Sequence, residues 1–286
     1  METKTIIPPA TGKLRQLQLT ELEMLCDFRA LCEKHGLRYF LDYGNLLGAV
    51  RHGGFIPWDD DVDVTMPYQD YLKFLEIAQK EFGDKYFVQT DDTDGQYHFC
   101  FTKIRKNGTT MVDETLLGWD IHHGAWIDVF VLIETNPGLE FKFRKLMYRV
   151  CNFLLMDQYF DMFSHVFEKM VGKAVVGFMQ LVYKTPRSWR KALKHGLLHR
   201  ICSGRNKQGY TIAWTGITEY FPKELYETSA KLEFEGETFN VPGQYRKNLE
   251  VIYGDYMQLP PEEDRIGHGT QMIIDLEQHY TKYTKK

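Results

Sequence analysis

The apolar positions Leu19, Leu22, Leu25, Cys26 and Leu31 recur at helical spacing between Leu17 and His35, with Thr20 as a cap, so an amphipathic helix is expected here. Gly36 closes it, and Arg38–Asp42 reads as a short strand. Gly44–Val50 reads as a tight turn feeding a short helix, and Val62–Met66 as a second strand. Pro67 stands ahead of YQDYLKFLEIAQKEF, where its fixed φ suits the first turn of a helix. From Lys85 the period shortens, and Tyr86–Gln89, Tyr97–Arg105 and Trp126–Val131 read as strands between acidic and glycine-containing turns. Further on, Lys231–Val241 reads as a hairpin around Gly236, Tyr245–Tyr253 as a helix stopped at Gly254, and GDYMQLPPEEDR as an ordered loop stiffened by prolines. Four or five strands with helices between and beside them imply an α+β (α/β-like) fold, a mixed sheet flanked by helices.

Charge divides the chain. Residues 140–207 hold 14 Lys and Arg against 4 Asp and Glu, a balance of +10 in a chain whose net charge is −4, which leaves −14 elsewhere. Apolar residues recur at helical spacing here too, as at Phe163, Val166, Phe167, Met170 and Val171. A helical insertion with a solvated basic face accounts for this pattern. So does a surface for an anionic partner, either a polyphosphate acceptor or a membrane headgroup layer. The overall negative charge argues against a chain built to grip nucleic acid. The opening METKTIIPPATGKLRQL lacks the apolar run of a secretory signal, and Met170–Tyr183 is too short and too polar to span a bilayer. Cys26, Cys32, Cys100, Cys151 and Cys202 are widely spaced and read as reduced cytoplasmic thiols.

Chemistry concentrates in DYGNLLGAVRHGGFIPWDDDVDV. Gly44 and Gly48 flank the expected helix start, where free N–H groups and the helix dipole attract phosphate; Asn45, Arg51 and His52 are substrate-binding candidates beside them. Asp59, Asp60, Asp61 and Asp63 repel one another, and a bound divalent cation would relieve that cost. Asp61 and Asp63 are two apart at the mouth of a strand, so alternation turns both to one face, where they can share Mg²⁺ or Mn²⁺. A solvated acidic turn explains Asp59 and Asp60, but less readily the interleaved Val62 and Val64. An EF-hand conflicts with Val64 at the position of its glycine and with Asp70 at the position of its Glu. A glycosyltransferase Asp-x-Asp also holds a nucleotide diphosphate through a metal, but usually follows a nucleotide-binding half, and only about 60 residues precede it here. Phosphoryl transfer is the preferred reading.

A third carboxylate is expected on a neighbouring strand, and Asp128 in AWIDVFVL is the candidate; the alternative is a buried acid bonded to Arg or backbone. Lys103 and Arg105 alternate on one strand face, as diphosphate ligands or as surface charges on an edge strand. His122 and His123 have no thiol or acid at zinc-ligand spacing, which favours packing or hydrogen bonding. Trp58 either stacks on a base or caps the core.

The stretch LDYGNLLGAVRHGGFIPWDDDVDVTMPYQDY closely resembles the signature of the LicD family, bacterial phosphocholine transferases related to the fukutin proteins. The resemblance continues through KIRKNGTT, DIHHGAWIDVF and FEGETFNVPGQYRKNLEVIYGDYMQLPPEEDR, over roughly residues 15–135 and 230–268. It implies a nucleotidyltransferase fold, with Gly44, Asp61, Asp63 and Asp128 matching the family pattern, and Asn45 where the wider superfamily often has Ser. It further implies a CDP-activated alcohol phosphate as donor, most often CDP-choline, and as acceptor a hydroxyl of a free or lipid-linked glycan such as a teichoic acid, lipopolysaccharide or capsule precursor. On that reading Asp61 and Asp63 hold Mg²⁺ against the diphosphate, while Asp128 completes the metal shell and draws the proton from the attacking hydroxyl. CMP leaves. Tyr43, Trp58, Trp119 and Trp126 are the aromatics available to cage a choline. Residues 1–138 form the expected catalytic core, 139–228 a helical basic insertion facing acceptor or membrane surface, and 229–286 the C-terminal part of the core. The expected setting is the cytoplasm, at the inner face of the membrane. Nucleotidyl transfer to a small molecule or protein, and a non-catalytic glycan- or nucleotide-binding role, are the other readings. The presence of all three aspartates argues against the last.

Overall fold

The computed structural model describes residues 7–157, 160, 173–212, 219–267 and 272–284. Helix α1 spans Gly12–His35. It begins before the expected Leu17, with Thr11 at its N-cap position and Thr20 in its interior, because neither Gly nor Pro interrupts residues 13–17 and Leu17 is fully buried. Gly36 ends it in the left-handed region, φ 61°, donating its N–H to the carbonyls of Cys32 and Glu33. Strand β1 is Phe40–Leu41, helix α2 Tyr43–Arg51, strand β2 Asp63–Pro67 and helix α3 Tyr68–Phe82. Four strands follow: β3 Tyr86–Gln89, β4 Thr102–Lys106, β5 Thr110–Asp113 and β6 Trp126–Thr135.

The long β6 organises the main sheet. β2 runs parallel along one side of it; on the other side β4 pairs antiparallel with its first half. The second half pairs with β7, Gly209–Ile212. β1, β3 and β8 (Phe221–Pro222) extend β2, β4 and β7 outward, giving seven mixed strands. Ile127, Val129, Val131 and Ile133 pack on one face with Met24 and Phe28 of α1 and Phe74 of α3. Phe130 and Leu132 face the other way, into a layer with Phe40, Phe101, Phe221 and Tyr226. The fold is α+β, as expected, with seven helices among the described residues.

The expected strand Tyr97–Arg105 begins only at Thr102. Tyr97, Phe99 and Phe101 instead cluster with one another, and the Tyr97 hydroxyl donates to the Phe101 carbonyl at 3.0 Å. Strand β5 pairs with β11, Met272–Asp275, which the sequence pattern did not reveal. Among the described residues of 139–228 the helices are α4 Leu139–Phe153, α5 Lys173–Tyr183 and α6 Arg187–Cys202, whereas β7 and β8 belong to the main sheet. The positions Phe163, Val166, Phe167, Met170 and Val171 lie outside the described residues. Strands β9 (Ser229–Phe234) and β10 (Glu237–Pro242) form the expected hairpin. Its two turn residues, Glu235 and Gly236, have φ of 55° and 78°, the pair of positive angles such a two-residue turn needs. Helix α7, Tyr245–Tyr253, stops at Gly254 as expected. All five cysteines are free thiols.

Gly48 marks a close approach between α2 and the loop that follows it. A Cβ there would lie 2.4 Å from the Gly54 carbonyl oxygen, a backbone atom that cannot swing aside. Gly196 in α6 has open space instead. Gly48→Ala is expected to destabilise the protein by about 1–3 kcal/mol through overpacking, while Gly196→Ala is neutral or stabilising by up to about 1 kcal/mol through helix propensity. Thermal unfolding of the two variants checks the contrast.

Candidate active site

The parallel register of β2 and β6 places Asp63 directly beside Asp128, and the antiparallel register of β4 places Lys103 on the far side of Asp128. Paired residues project to the same face, so the three charges form one row across the sheet. Lys103 Nζ lies 2.6 and 2.8 Å from the two Asp128 oxygens, and Trp126 Nε1 donates to the same carboxylate at 3.3 Å. Burial pushes the Lys103 amine below its ordinary range, against the pull of Asp128. Asp128 is thus an acid paired within the sheet, and its cation is a lysine.

The aspartate loop before β2 is pinned from several sides. The Asn45 side chain donates to the Asp61 carbonyl at 3.1 Å and accepts from the Asp63 N–H at 2.6 Å. Both ends of its amide are therefore engaged in shaping the loop. The Asp128 N–H donates to the Val62 carbonyl, and Gln18 of α1 donates to the Asp59 carbonyl at 2.9 Å. Gly44 and Gly48 do not flank the start of α2 but lie inside it, because Asp42 is the N-cap and accepts from Tyr43 N–H. A Cβ on Gly44 would lie 2.7 Å from an Asp59 carboxylate oxygen. Glycine thus lets the first turn of α2 come up against that carboxylate. Asp42 itself is fully buried, which pushes its carboxyl up to about 6 against the opposing bonds from Tyr226, Tyr43 and Thr65.

Beside this loop opens a cavity of about 680 Å³. Gly44, Arg51, Trp58, Asp61 and Asp63 line it, together with Asp59; Asn45, Gly48, His52, Lys103, Arg105 and Asp128 do not. Arg51 is buried and donates to the carbonyls of Tyr256 and Gln258, tying α2 to the loop after α7. That loop is the ordered GDYMQLPPEEDR segment, and Asp255, Tyr256, Gln258, Leu259, Pro260 and Pro261 all reach the cavity. His52 packs edge-on against Trp58, whose other neighbour is the Arg265 guanidinium, 5.7 Å from the ring centre. Arg105 is buried on an internal strand, donating to Gln89 and the Gly124 carbonyl and lying over Trp126. His122 stacks on Phe87, and His123 bonds to the Trp119 carbonyl; both serve packing. Glu219, Tyr253 and Tyr256 line the cavity without having been singled out in the sequence. The only signal for the last two was their place beside Gly254, a helix stop followed at once by polar and aromatic residues.

The donor set fits a hard divalent cation. Asp59, Asp60 and Asp61 bring carboxylate oxygens within 4.8 Å of one another; Asp61, Asp63 and Asp128 are not such a set. Burial, then Asp61, Asp128 and Asp59, push the Asp63 carboxyl well above its ordinary value. Behind the loop, α1 presents Glu21, fully buried, with neither oxygen hydrogen-bonded. Burial and the charges of Asp61, Asp60, Asp59 and Asp128 push it well up too. Oxygen ligands and uncompensated negative charge are what Mg²⁺ prefers. A second set, Asp91, Asp92 and His195, is already neutralised by Lys194 and Lys191.

Residues 36–113 match the model of the LicD/FKTN/FKRP nucleotidyltransferase domain. The lipopolysaccharide cholinephosphotransferase LicD of Haemophilus influenzae is 31% identical over 263 residues, which covers 90% of this chain and 96% of that protein. The chain belongs to the LicD family. It is a transferase of that family. The human ribitol 5-phosphate transferase FKRP is 55% identical over 51 residues, 18% of this chain and 10% of that protein. A yeast protein named mannosyltransferase regulator 4 is 25% identical over 119 residues, 40% of this chain and 10% of its own length.

Two outcomes follow for this LicD-family site. Asn45→Ala removes both bonds to the aspartate loop and leaves the Asp63 N–H and Asp61 carbonyl without it. A loss of about 1–3 kcal/mol is expected, read by denaturant unfolding. Glu21 has a raised folded-state pKa, so its contribution to stability is present below the ordinary value of 4.5 and is lost as pH rises towards the raised one. Glu21→Gln removes that loss. Its melting temperature is expected to exceed that of the wild type by a margin that widens from pH 5 to pH 8. A constant margin would contradict this account of Glu21.

Proposed function

We propose that this protein transfers phosphocholine, or a similar alcohol phosphate, from a CDP-alcohol to a hydroxyl of a cell-surface glycan precursor, releasing CMP. The observation that carries this reading is the pair Asp61 and Asp63, opening onto a cavity of about 680 Å³ with aromatic walls. That volume lies within the range of small-molecule and cofactor sites, roughly 300–1,000 Å³. The names of two relatives, one a cholinephosphotransferase and one a ribitol 5-phosphate transferase, agree on a phosphorylated alcohol as the group moved.

Asp61 and Asp63 would hold Mg²⁺ or Mn²⁺, with Asp59 on the same wall and Asp128 paired with Asp63 on the neighbouring strand. When bound, the cation supplies positive charge against the donor diphosphate. The chain's own residues do the rest. Asn45 holds Asp61 and Asp63 in place. Asp128 draws the proton from the attacking hydroxyl, and Lys103, 2.6 Å away, holds that carboxylate in position. Tyr43, Trp58, Tyr253 and Tyr256 are the aromatic residues of the wall that would meet a quaternary ammonium, and Asp255 and Glu219 add negative charge beside them. Arg51 fixes the loop that carries several of these groups. The acceptor is a free or lipid-linked glycan, reached in the cytoplasm or at the inner face of the membrane.

Incubation with a panel of CDP-alcohols and Mg²⁺, following CMP release, tests the reading. CMP together with a substituted acceptor is expected, and Asp61→Asn is expected to lower turnover by about a hundredfold or more. Pyrophosphate release would point to nucleotidyl transfer instead. No release with any donor would sink the proposal.

A further inference from the structure

We propose that the outer face of α4 and α6 docks onto an anionic lipid headgroup layer. On α4, Leu139, Phe143 and Leu146 follow one another at helical spacing on the solvent side; Leu139 is 84% and Phe143 57% exposed. On α6, Trp189 and Leu193 continue the theme at four-residue spacing, with Trp189 71% exposed. Phe143 of the first stripe and Leu197, four residues beyond Leu193 of the second, line one groove of about 420 Å³ together with Glu140, Met147 and Arg200, which joins the two helices on this side. Large apolar side chains gathered on one face mark an interaction site, whereas scattered single ones do not.

Charge identifies the partner. Lys142, Lys145 and Arg149 of α4 and Arg200 of α6 have no ion-pair partner among the described residues. The described acids of the segment are already paired: Glu140, at the groove, with Arg144 and Lys207, and Asp157 with Arg187 and Arg190. The face is therefore apolar and positive at once. A soluble polyphosphate would neutralise the cations but leave Phe143 and Trp189 in water. A second copy of this chain, meeting face to face about a two-fold axis, would set like charges together. A headgroup layer accepts both features, since aromatic and aliphatic groups sink to the acyl boundary while Lys and Arg stay among the phosphates. No helix among the described residues is long and apolar enough to cross a membrane, so the contact is peripheral. Helix α5 adds exposed Val175, Phe178 and Leu181 with no acid along its length.

The test is vesicle flotation of the full chain without donor, so its outcome is independent of the transfer chemistry. Vesicles of phosphatidylcholine alone are compared with vesicles that also contain phosphatidylglycerol. Binding to the second kind is expected to be at least about tenfold tighter and to weaken with salt, each basic residue at the surface being worth about fivefold. The double variants Lys142→Glu/Arg149→Glu and Phe143→Ser/Trp189→Ser are each expected to lose tenfold or more while melting like the wild type, because all four residues are exposed. Wild-type protein that floats with neither vesicle overturns the proposal, as do double variants that bind like the wild type. So does a lipid-free dimer that Phe143→Ser/Trp189→Ser dissolves. Binding of inorganic polyphosphate but not of phosphatidylglycerol vesicles overturns it too.

Discussion

The parallel pairing of β2 with β6 is the constraint on which the rest of this structure turns. It sets Asp63 and Asp128 side by side at the mouths of two adjacent strands, and β4 then delivers Lys103 to the same row. Parallel strands need a crossover, here α3 with β3, β4 and β5; of these α3 packs on one face of the sheet, while β3 and β4 extend the sheet beyond β6. The cavity and the aspartate loop both lie at the mouth of β2. Everything around it holds backbone in place: Asn45 clasps the loop, Gln18 supports it from α1, and Asp42 caps the helix that borders it.

Such a concentration of negative charge opposes folding. Asp63, Glu21 and Asp42 are all driven upward by burial, and the carboxylates Asp61, Asp128 and Asp59 push Asp63 further up against the opposing charge of Lys103. The main sheet, with apolar layers on both faces, provides the opposing stability. Strain of this kind is common where a site is prearranged for a cation or a charged ligand. The basic helices reproduce the asymmetry at larger scale, with one part of the chain at +10 and the remainder at −14.

Much of this was legible in the sequence, and particular residues explain where legibility stopped. Strong periodicity marked α1, α3, α7 and the β9–β10 hairpin, and the two-residue spacing of Asp61 and Asp63 put both on the cavity wall. Alternation correctly placed Lys103 and Arg105 on one face of β4. It carried no information on whether that strand was central or at an edge, so their burial emerged only from the pairing with β3 and β6. Strands β5, β7, β8 and β11 have two to four residues each, too few for a period, and β5 finds its partner far along the chain. Asn45 in the sequence looked like a ligand to substrate, but nothing local announces that both ends of its amide serve the loop. Glu21 was indistinguishable from a solvated helix residue, since its burial depends on a loop some 40 residues away.

The bond from Arg51 to the Tyr256 carbonyl joins positions 205 residues apart. One side of the cavity is written early in the chain and the other near its end. During synthesis the aspartates therefore emerge long before the walls that enclose them, and loop closure over that distance is slow relative to local helix formation. Until the last strands arrive, the nascent chain carries an acidic cluster with no pocket around it. Its chemistry is in this sense a property of the completed fold.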